Sequence, residues 1–280
     1  MAAIQSDIWA APAKLNLFLH ITGQREDGYH LLQTVFVFLD ACDELTFEIT
    51  DDGKVECLYE LNGVKPEEDI VYRAAMALKN KTGTKKGVRI RLSKNLPMGG
   101  GLGGGSSDAA TTLLALNRDW QCGCEISELA EIGLQLGADV PVFIYGHACW
   151  AEGVGEQIEP IEVPETWYLV LIPQINVSTA ELFADSQLNR SCSPITIRDF
   201  LAGQGGNVFE PVVMAKYPII GEAMQALNAF AKARLTGTGA CVFASFETKQ
   251  AAEQAWDELS KDWDGFVAKG QNRSPAHEWL

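Results

Sequence analysis

The sequence has no stretch approaching the roughly 18 apolar residues of a membrane-spanning helix. No early segment joins a basic start to an apolar run. These two absences lead to the expectation of a cytoplasmic protein without a membrane partner. Basic residues are in short supply: 22 Lys and Arg stand against 37 Asp and Glu, a formal net charge of −15. Nucleic-acid binders carry a basic surplus, so the balance argues against a nucleic-acid partner. Cysteine is present but unpatterned, at 42, 57, 122, 124, 149, 192 and 241. Cys122-Gly-Cys124 has no second pair with which to build a metal knuckle, so the seven read as reduced thiols. Internal repeats and low-complexity tracts are also missing.

The chain does have the apolar content for a real core, 47%, and its 280 residues are enough for two modest domains. The expected units are 1–158 and 159–280, divided near "GEQIEPIEVPET" (155–166). In the first, "KLNLFLHI" (14–21) alternates. Leu15, Leu17, Leu19 and Ile21 are expected on one face of a half-buried strand, and Lys14, Asn16, Phe18 and His20 on the other. Strands are predicted over 34–40, 44–50, 54–60 and 87–92, with "DDG" (51–53) as a hairpin turn. Helices are predicted over 67–83, over 106–120 with Ser106 or Ser107 as cap, and over 127–137 with Ser127 as cap. "PVFIYG" (141–146) and "ACWAEG" (148–153) read as a strand pair. The second half alternates strands and helices, which gives an α+β class.

Charge is uneven along the chain. Eight basic residues and no acid lie between Arg73 and Lys94. The run reads either as a solvated face or as a positive field beside an anion site. It ends three residues before "PMGGGLGGGSSDAA" (97–110), which packs six glycines into seven positions. A glycine turn opening a helix lets the backbone approach an anion closely and aims free N–H groups at it. A nucleoside-triphosphate P-loop is excluded, because the turn ends Gly105-Ser106-Ser107 and not Gly-Lys-Ser/Thr. Gly99, Gly101 and Gly104 fit the dinucleotide spacing. However, Lys94–Met98 intervenes after the strand, and a helix begins near Glu125 where a ribose-binding acid should end a strand. A protein-kinase glycine loop lies between strands, and this one opens a helix.

With its surroundings, this loop resembles the second signature of the GHMP kinases. "LTGTGACVF" (235–243) resembles their third signature, and "PAKLNLFLHITGQREDGYHLLQTVF" (12–36) their first. "LGADVPVF" and "AEGVGE" add to the match. The resemblance implies a two-domain α+β GHMP-kinase fold: an N-terminal S5 domain 2-like βαβ domain and a C-terminal ferredoxin-like α/β sandwich. The active site would lie in the interdomain cleft. It further implies ATP-dependent phosphorylation of an alcohol hydroxyl, with Mg2+ as cofactor. The acceptor implied is a cytidine diphosphate sugar alcohol of isoprenoid precursor synthesis, and the implied assembly is a monomer or weak homodimer.

The same resemblance assigns residues. Pro97, Met98, Gly99, Gly100, Gly101, Leu102, Gly103, Gly104, Gly105, Ser106 and Ser107 would hold ATP. Lys14 and Asp139 would be catalytic, although a lone Lys at a strand edge is ordinarily solvated and an Asp before Pro141 is ordinarily a turn former. Asn16, Tyr29, His30, Lys94, Thr179 and Phe183 would bind the acceptor, Tyr29 and Phe183 sandwiching a flat base and His30 bonding its edge. Ser107 is a candidate metal ligand, since a hydroxyl at a helix start beside phosphates can coordinate magnesium. Another small-molecule alcohol kinase of the same fold remains the alternative. A non-catalytic nucleotide-binding regulator would not need both Lys14 and Asp139.

Overall fold

A computed structural model describes residues 7–280; residues 1–6, where the first expected unit begins, lie outside it. Two long strands, β1 (Trp9–Gln24) and β2 (His30–Thr50), form an antiparallel ribbon. β3 (Val55–Cys57), α1 (Ile70–Thr82) and β4 (Gly87–Ser93) follow. Then come α2 (Gly104–Asp119), α3 (Ile126–Leu136), α4 (Val140–Tyr145), β5 (Cys149–Glu152) and β6 (Gln157–Pro160). The second half runs β7 (Trp167–Leu171), α5 (Thr179–Phe183), α6 (Ile197–Leu201), α7 (Glu210–Lys216) and α8 (Pro218–Asn228). It ends with β8 (Arg234–Leu235), β9 (Val242–Phe246), α9 (Lys249–Leu259), β10 (Gly265–Gln271) and a 3-10 turn at Pro275–Trp279. The main sheet order is β3-β4-β2-β10-β7-β9-β8, with β1 and β5 also on β2. β2 is thus the spine, and the sheet continues through β10 across the expected junction.

Several sequence expectations change here. The predicted strands 34–40 and 44–50 are one strand, and 54–60 shrinks to three residues. Asp51-Asp52-Gly53 makes no hairpin, because β4 lies between β2 and β3 and β3 pairs with it in parallel. "PVFIYG" is helix α4, not a strand. A fully apolar run carries no period to separate the two, and Pro141 in the first turn with Gly146 at φ 66 after the last fits a short helix. α3 is capped by Glu125 through a capping box with Glu128, two residues ahead of the expected cap Ser127. α2 starts from Gly103, at φ 73, so Ser106 and Ser107 lie inside its first turn and cap nothing.

The alternation in β1 also fails as first read. The register with β2 shifts between Asn16 and Phe18, a bulge that swaps faces. Leu15 and Phe18 therefore enter one apolar cluster with Leu39, Val170 and Phe243, while Leu19 and Ile21 enter another with Leu169 and Phe209. Leu17 is left half-buried. A third cluster packs α1 to α4 on the sheet around Phe38, Ile90, Leu113 and Phe143. The chain end returns to it: Ala276 is buried there, and the Trp279 ring lies 6.3 Å from that of Trp9. Among the described residues, no helix is long and apolar enough to cross a membrane.

Candidate active site

The glycine turn is wedged between β1 and the 236–239 turn. Lys14 N donates to Leu102 O at 2.9 Å, Cys241 N to Gly100 O at 3.1 Å, and Thr236 Oγ1 to Gly101 O at 3.2 Å. Gly101, at φ 78, faces the Thr236 backbone so closely that a Cβ would collide with its carbonyl oxygen. A Cβ on Gly103 would meet the Lys14 side chain and the Phe143 ring. The turn is therefore a close-packed backbone cradle, open on its other side to a cleft of about 1430 Å³. Ser106 lines this cleft; Ser107 is completely buried, with its Oγ unpartnered.

At the cleft floor Lys14 is almost wholly buried, 3% exposed. Its Nζ donates to Asn16 Oδ1 at 2.5 Å and to Gly101 O at 3.1 Å, and lies 3.3 Å from Asp139 Oδ2. Lys14 and Asn16, two apart in β1, turn inward together, and Asn16 Nδ2 is anchored on Thr34 Oγ1 at 2.9 Å. Asp139 precedes α4 but makes no side-chain capping bond, so its carboxylate is free to face the cleft. The site thus carries a buried ammonium touching the glycine turn on one side and a half-exposed carboxylate on the other.

The far wall is aromatic. Tyr29 is 64% exposed at the tip of the β1–β2 turn. The His30 ring lies 5.0 Å from Phe183 at 32°, and Phe183 packs edge-on to Phe209 at 5.0 Å. Thr179 Oγ1 is 2.8 Å from Thr238 Oγ1, tying α5 to the second glycine turn.

Lys94 does not reach freely into the cleft. Its Nζ is held by Asp108 Oδ2 at 2.7 Å and, in a short contact, by Asp43 Oδ2. Asp43 is completely buried, and its other oxygen accepts from Asn95 N at 2.6 Å and Leu96 N at 2.8 Å. The bridge pins the strand entering the glycine turn to the helix leaving it. One ammonium faces two carboxylates. Asp43 has two backbone donors besides Lys94, whereas Asp108 Oδ1 is buried without a partner. Burial, the Lys94 charge pulling down and the Asp43 charge pushing up leave the Asp108 carboxyl raised to about 7. Burial opposes the charge on Lys94, but Asp108 and Asp43 outweigh it and hold its ammonium above the ordinary lysine value.

Two expected results follow from this bridge. Lys94→Met leaves two buried carboxylates facing each other and lowers unfolding free energy by about 3–5 kcal/mol in urea titration. Adding Asp108→Asn restores part of it; unchanged stability in Lys94→Met would show the bridge to be energetically idle. The raised carboxyl of Asp108 also fixes a sign. Between the ordinary carboxylate range and about 7, the folded chain holds a proton that the unfolded chain has released, so stability falls as pH rises through that interval. Asp108→Asn flattens that fall.

Three more members of the basic run are bonded within the first half of the chain, which weighs for the solvated-face reading of the run over a positive field. Lys79 bonds the Thr84 and Lys86 carbonyls, Lys86 the Asp119 carbonyl, and Arg89 the carboxylates of Glu48 and Glu56. Among the described residues the seven cysteines pair in no disulfide; burial pushes the thiols of Cys149 and Cys241 up to about 12. Among the described residues, no three His, Cys, Asp or Glu side chains gather to hold a metal ion.

A glycine cradle opening a buried helix, set against a Lys–Asp pair in a cleft of this topology, marks a small-molecule kinase of the GHMP class. The family models "GHMP kinases N terminal domain" and "GHMP kinases C terminal" match residues 69–147 and 194–265. The 4-diphosphocytidyl-2-C-methyl-D-erythritol kinase of Nitrosococcus oceani is 57% identical over 267 residues, 95% of each chain. That of Pseudomonas aeruginosa is 54% identical over 96% of each chain. A crystal structure of 4-(cytidine 5'-diphospho)-2C-methyl-D-erythritol kinase superposes with a TM-score of 0.85 at 31% identity, covering 94% of this chain and 99% of the other. A mevalonate kinase structure, 16% identical over 96% of this chain and 100% of its own, shares the fold with a TM-score of 0.70. The chain belongs to the 4-diphosphocytidyl-2-C-methyl-D-erythritol kinases of the GHMP kinase family.

Proposed function

We propose that the chain transfers the γ-phosphoryl group of ATP to the 2-hydroxyl of 4-diphosphocytidyl-2-C-methyl-D-erythritol, giving the 2-phosphate and ADP. The observation that carries this reading is the Lys14–Asp139 contact at 3.3 Å, placed between the glycine cradle and the aromatic wall. Phosphoryl transfer to an alcohol needs a held triphosphate, charge neutralised on the moving group, and an aligned hydroxyl that can lose its proton. The turn and the first N–H groups of α2 supply the first. Lys14, fixed by Asn16 and the Gly101 carbonyl, supplies positive charge without having to reorganise. Asp139 accepts the hydroxyl proton as the alcohol oxygen bonds to phosphorus and the bond to the ADP oxygen breaks.

Magnesium supplies charge neutralisation on the phosphate oxygens when bound. Among the described residues no three His, Cys, Asp or Glu side chains gather as a cage for it, which would suit an ion held mainly by phosphates. Of the two serines, Ser106 has its place on the cleft, and Ser107 does not. Tyr29, His30 and Phe183 receive the cytosine, and Thr179 and Asn16 line the path from base to hydroxyl.

Tyr29 is exposed and packs into no core, so Tyr29→Ala isolates the stacking contribution. Base–aromatic stacking is worth about 1–3 kcal/mol. The variant is expected to raise KM for the acceptor by about 5- to 150-fold and KM for ATP by less than about twofold. Equal changes in both would refute the wall. The function itself is tested by ATP consumption with the cytidine diphosphate alcohol set against mevalonate, homoserine and galactose. Turnover with the first alone is expected, and preference for any of the others would overturn the reading.

A further inference from the structure

Arg190 lies in the segment after α5, with its guanidinium committed inside the protein. One terminal nitrogen donates to the Phe183 and Asp185 carbonyl oxygens at 2.7 and 2.8 Å, and the other to Leu188 O at 3.2 Å. The N–H on Nε is aimed at His30 Nε2 at 3.3 Å. A guanidinium has donors only and keeps its charge in proteins. Nε2 is therefore the lone-pair nitrogen of His30, and the ring proton sits on Nδ1. An imidazolium has no acceptor nitrogen, so the same contact disfavours it; burial, and then the Arg190 charge, both hold His30 below the ordinary histidine value. His30 lines the cleft, and among the described residues its Nδ1 meets no hydrogen-bond partner.

We propose that Arg190 is a positioning residue for base selection: it locks His30 as the Nδ1–H tautomer, so that the aromatic wall presents a donor to the edge of the base. This rests on the reading above that the cytidine end of the acceptor lies against Tyr29 and Phe183. Cytosine offers acceptors at N3 and O2. Uracil carries an N3–H donor, which would oppose the Nδ1–H and leave two buried donors unsatisfied. A ring protonated on Nε2 would reverse the preference, accepting from uracil N3–H. One of the three carbonyl bonds of Arg190 also holds the Phe183 main chain, so one side chain sets both the stacking face and the polar edge of the wall. A site built on a directed hydrogen bond discriminates far more sharply than an apolar slot.

Two measurements test this. A long-range proton–nitrogen correlation spectrum of the native protein, labelled at its four histidines, reads the tautomer directly, with His30 assigned through His30→Gln. The Nδ1-protonated pattern is expected; the Nε2-protonated pattern overturns the proposal without need of any Arg190 variant. The second measurement is the dissociation constants of cytidine 5′-diphosphate and uridine 5′-diphosphate for the native chain, Arg190→Met and Arg190→Lys. The native chain is expected to prefer the cytidine nucleotide by about tenfold or more, and Arg190→Met to fall within about threefold, with ATP affinity unchanged. Lys cannot reproduce the planar fork, so Arg190→Lys is expected to lose most of the preference too. A native preference kept intact in both variants removes the role of Arg190 and leaves the base wall standing. A native chain that binds neither nucleotide removes the base wall, and the proposal with it.

Discussion

Asp139→Ala is expected to lower kcat by about 10²–10⁴-fold, the usual contribution of a positioned general base, while KM for ATP stays within a few-fold. The separation follows from where the side chain sits. The Asp139 side chain pairs with Lys14 and, among the described residues, makes no capping bond to α4 and no hydrogen bond to the glycine turn. Lys14 keeps Asn16 Oδ1 and Gly101 O when the carboxylate is removed, so the ammonium is not left stranded and the cradle keeps its shape. Removal of the carboxylate therefore affects the proton and the alignment of the hydroxyl more than the binding of the triphosphate. Asp139→Asn tests the proton more narrowly, since it preserves volume and a hydrogen-bonding oxygen. Steady-state kinetics at saturating acceptor decide the matter. Turnover within about tenfold of the native rate, a barrier change of only about 1.4 kcal/mol, would remove Asp139 as the base.

Gly101→Ala is expected to be nearly as damaging, through geometry alone. Gly101 has φ 78, and the position a Cβ would take is filled by the Thr236 carbonyl. An alanine there costs about 1–2 kcal/mol for the left-handed backbone before any clash is counted. The clash must be relieved by moving the turn away from 236–239, and with it the Gly101 carbonyl that holds Lys14 Nζ. Misplacement by about 1 Å can cost about 10²-fold in rate. We expect kcat/KM for ATP to fall at least that far, along with a lower unfolding midpoint. Gly221→Ala is the control. It lies in α8, away from the cleft, without a positive φ, and its Cβ would make only ordinary contact with Met214 at 3.8 Å. It should retain activity and gain about 0.5–1 kcal/mol of stability from helix propensity. Similar losses in both variants would mean that the turn is not held by the packing described.

How much of this was readable beforehand depends on what kind of signal each feature leaves. The glycine turn was legible because composition announces it: a run of glycines before a helix has few physical uses. The pairing of Lys14 with Asn16 was legible as a shared strand face, but only in part. Strict alternation would have put Phe18 beside them, and the bulge at Asn16–Phe18 instead sends Phe18 into the core that joins β1 and β2 to β7 and β9. α4 was misread because an entirely apolar six-residue run satisfies a buried strand and a buried helix equally well.

Asp43 left no signal. It stands among Asp40 and Glu44 in one strand, and nothing local says which of the three acids turns inward. Its burial is decided by Lys94 and by the two main-chain N–H groups of Asn95 and Leu96, some 50 positions away. Arg190 was invisible for a similar reason. Its partners are three main-chain carbonyls and a histidine 160 residues distant, none of which a spacing rule can reach. The basic run left its two readings open. A count of charges cannot see that Lys79, Lys86 and Arg89 are each already bonded within the first half of the chain.

The central claim is that this cleft places a phosphoryl group on one hydroxyl of a cytidine diphosphate alcohol. Carbon and phosphorus NMR of the product formed from ATP and 4-diphosphocytidyl-2-C-methyl-D-erythritol tests it most directly. One new phosphate monoester is expected, with phosphorus coupling to the methyl-bearing C2 and to the methyl carbon, one ADP formed per product, and at least about 10²-fold slower formation of it by Asp139→Ala under the same conditions. A phosphate on any other oxygen, or ADP formed without a phosphorylated alcohol, would contradict it.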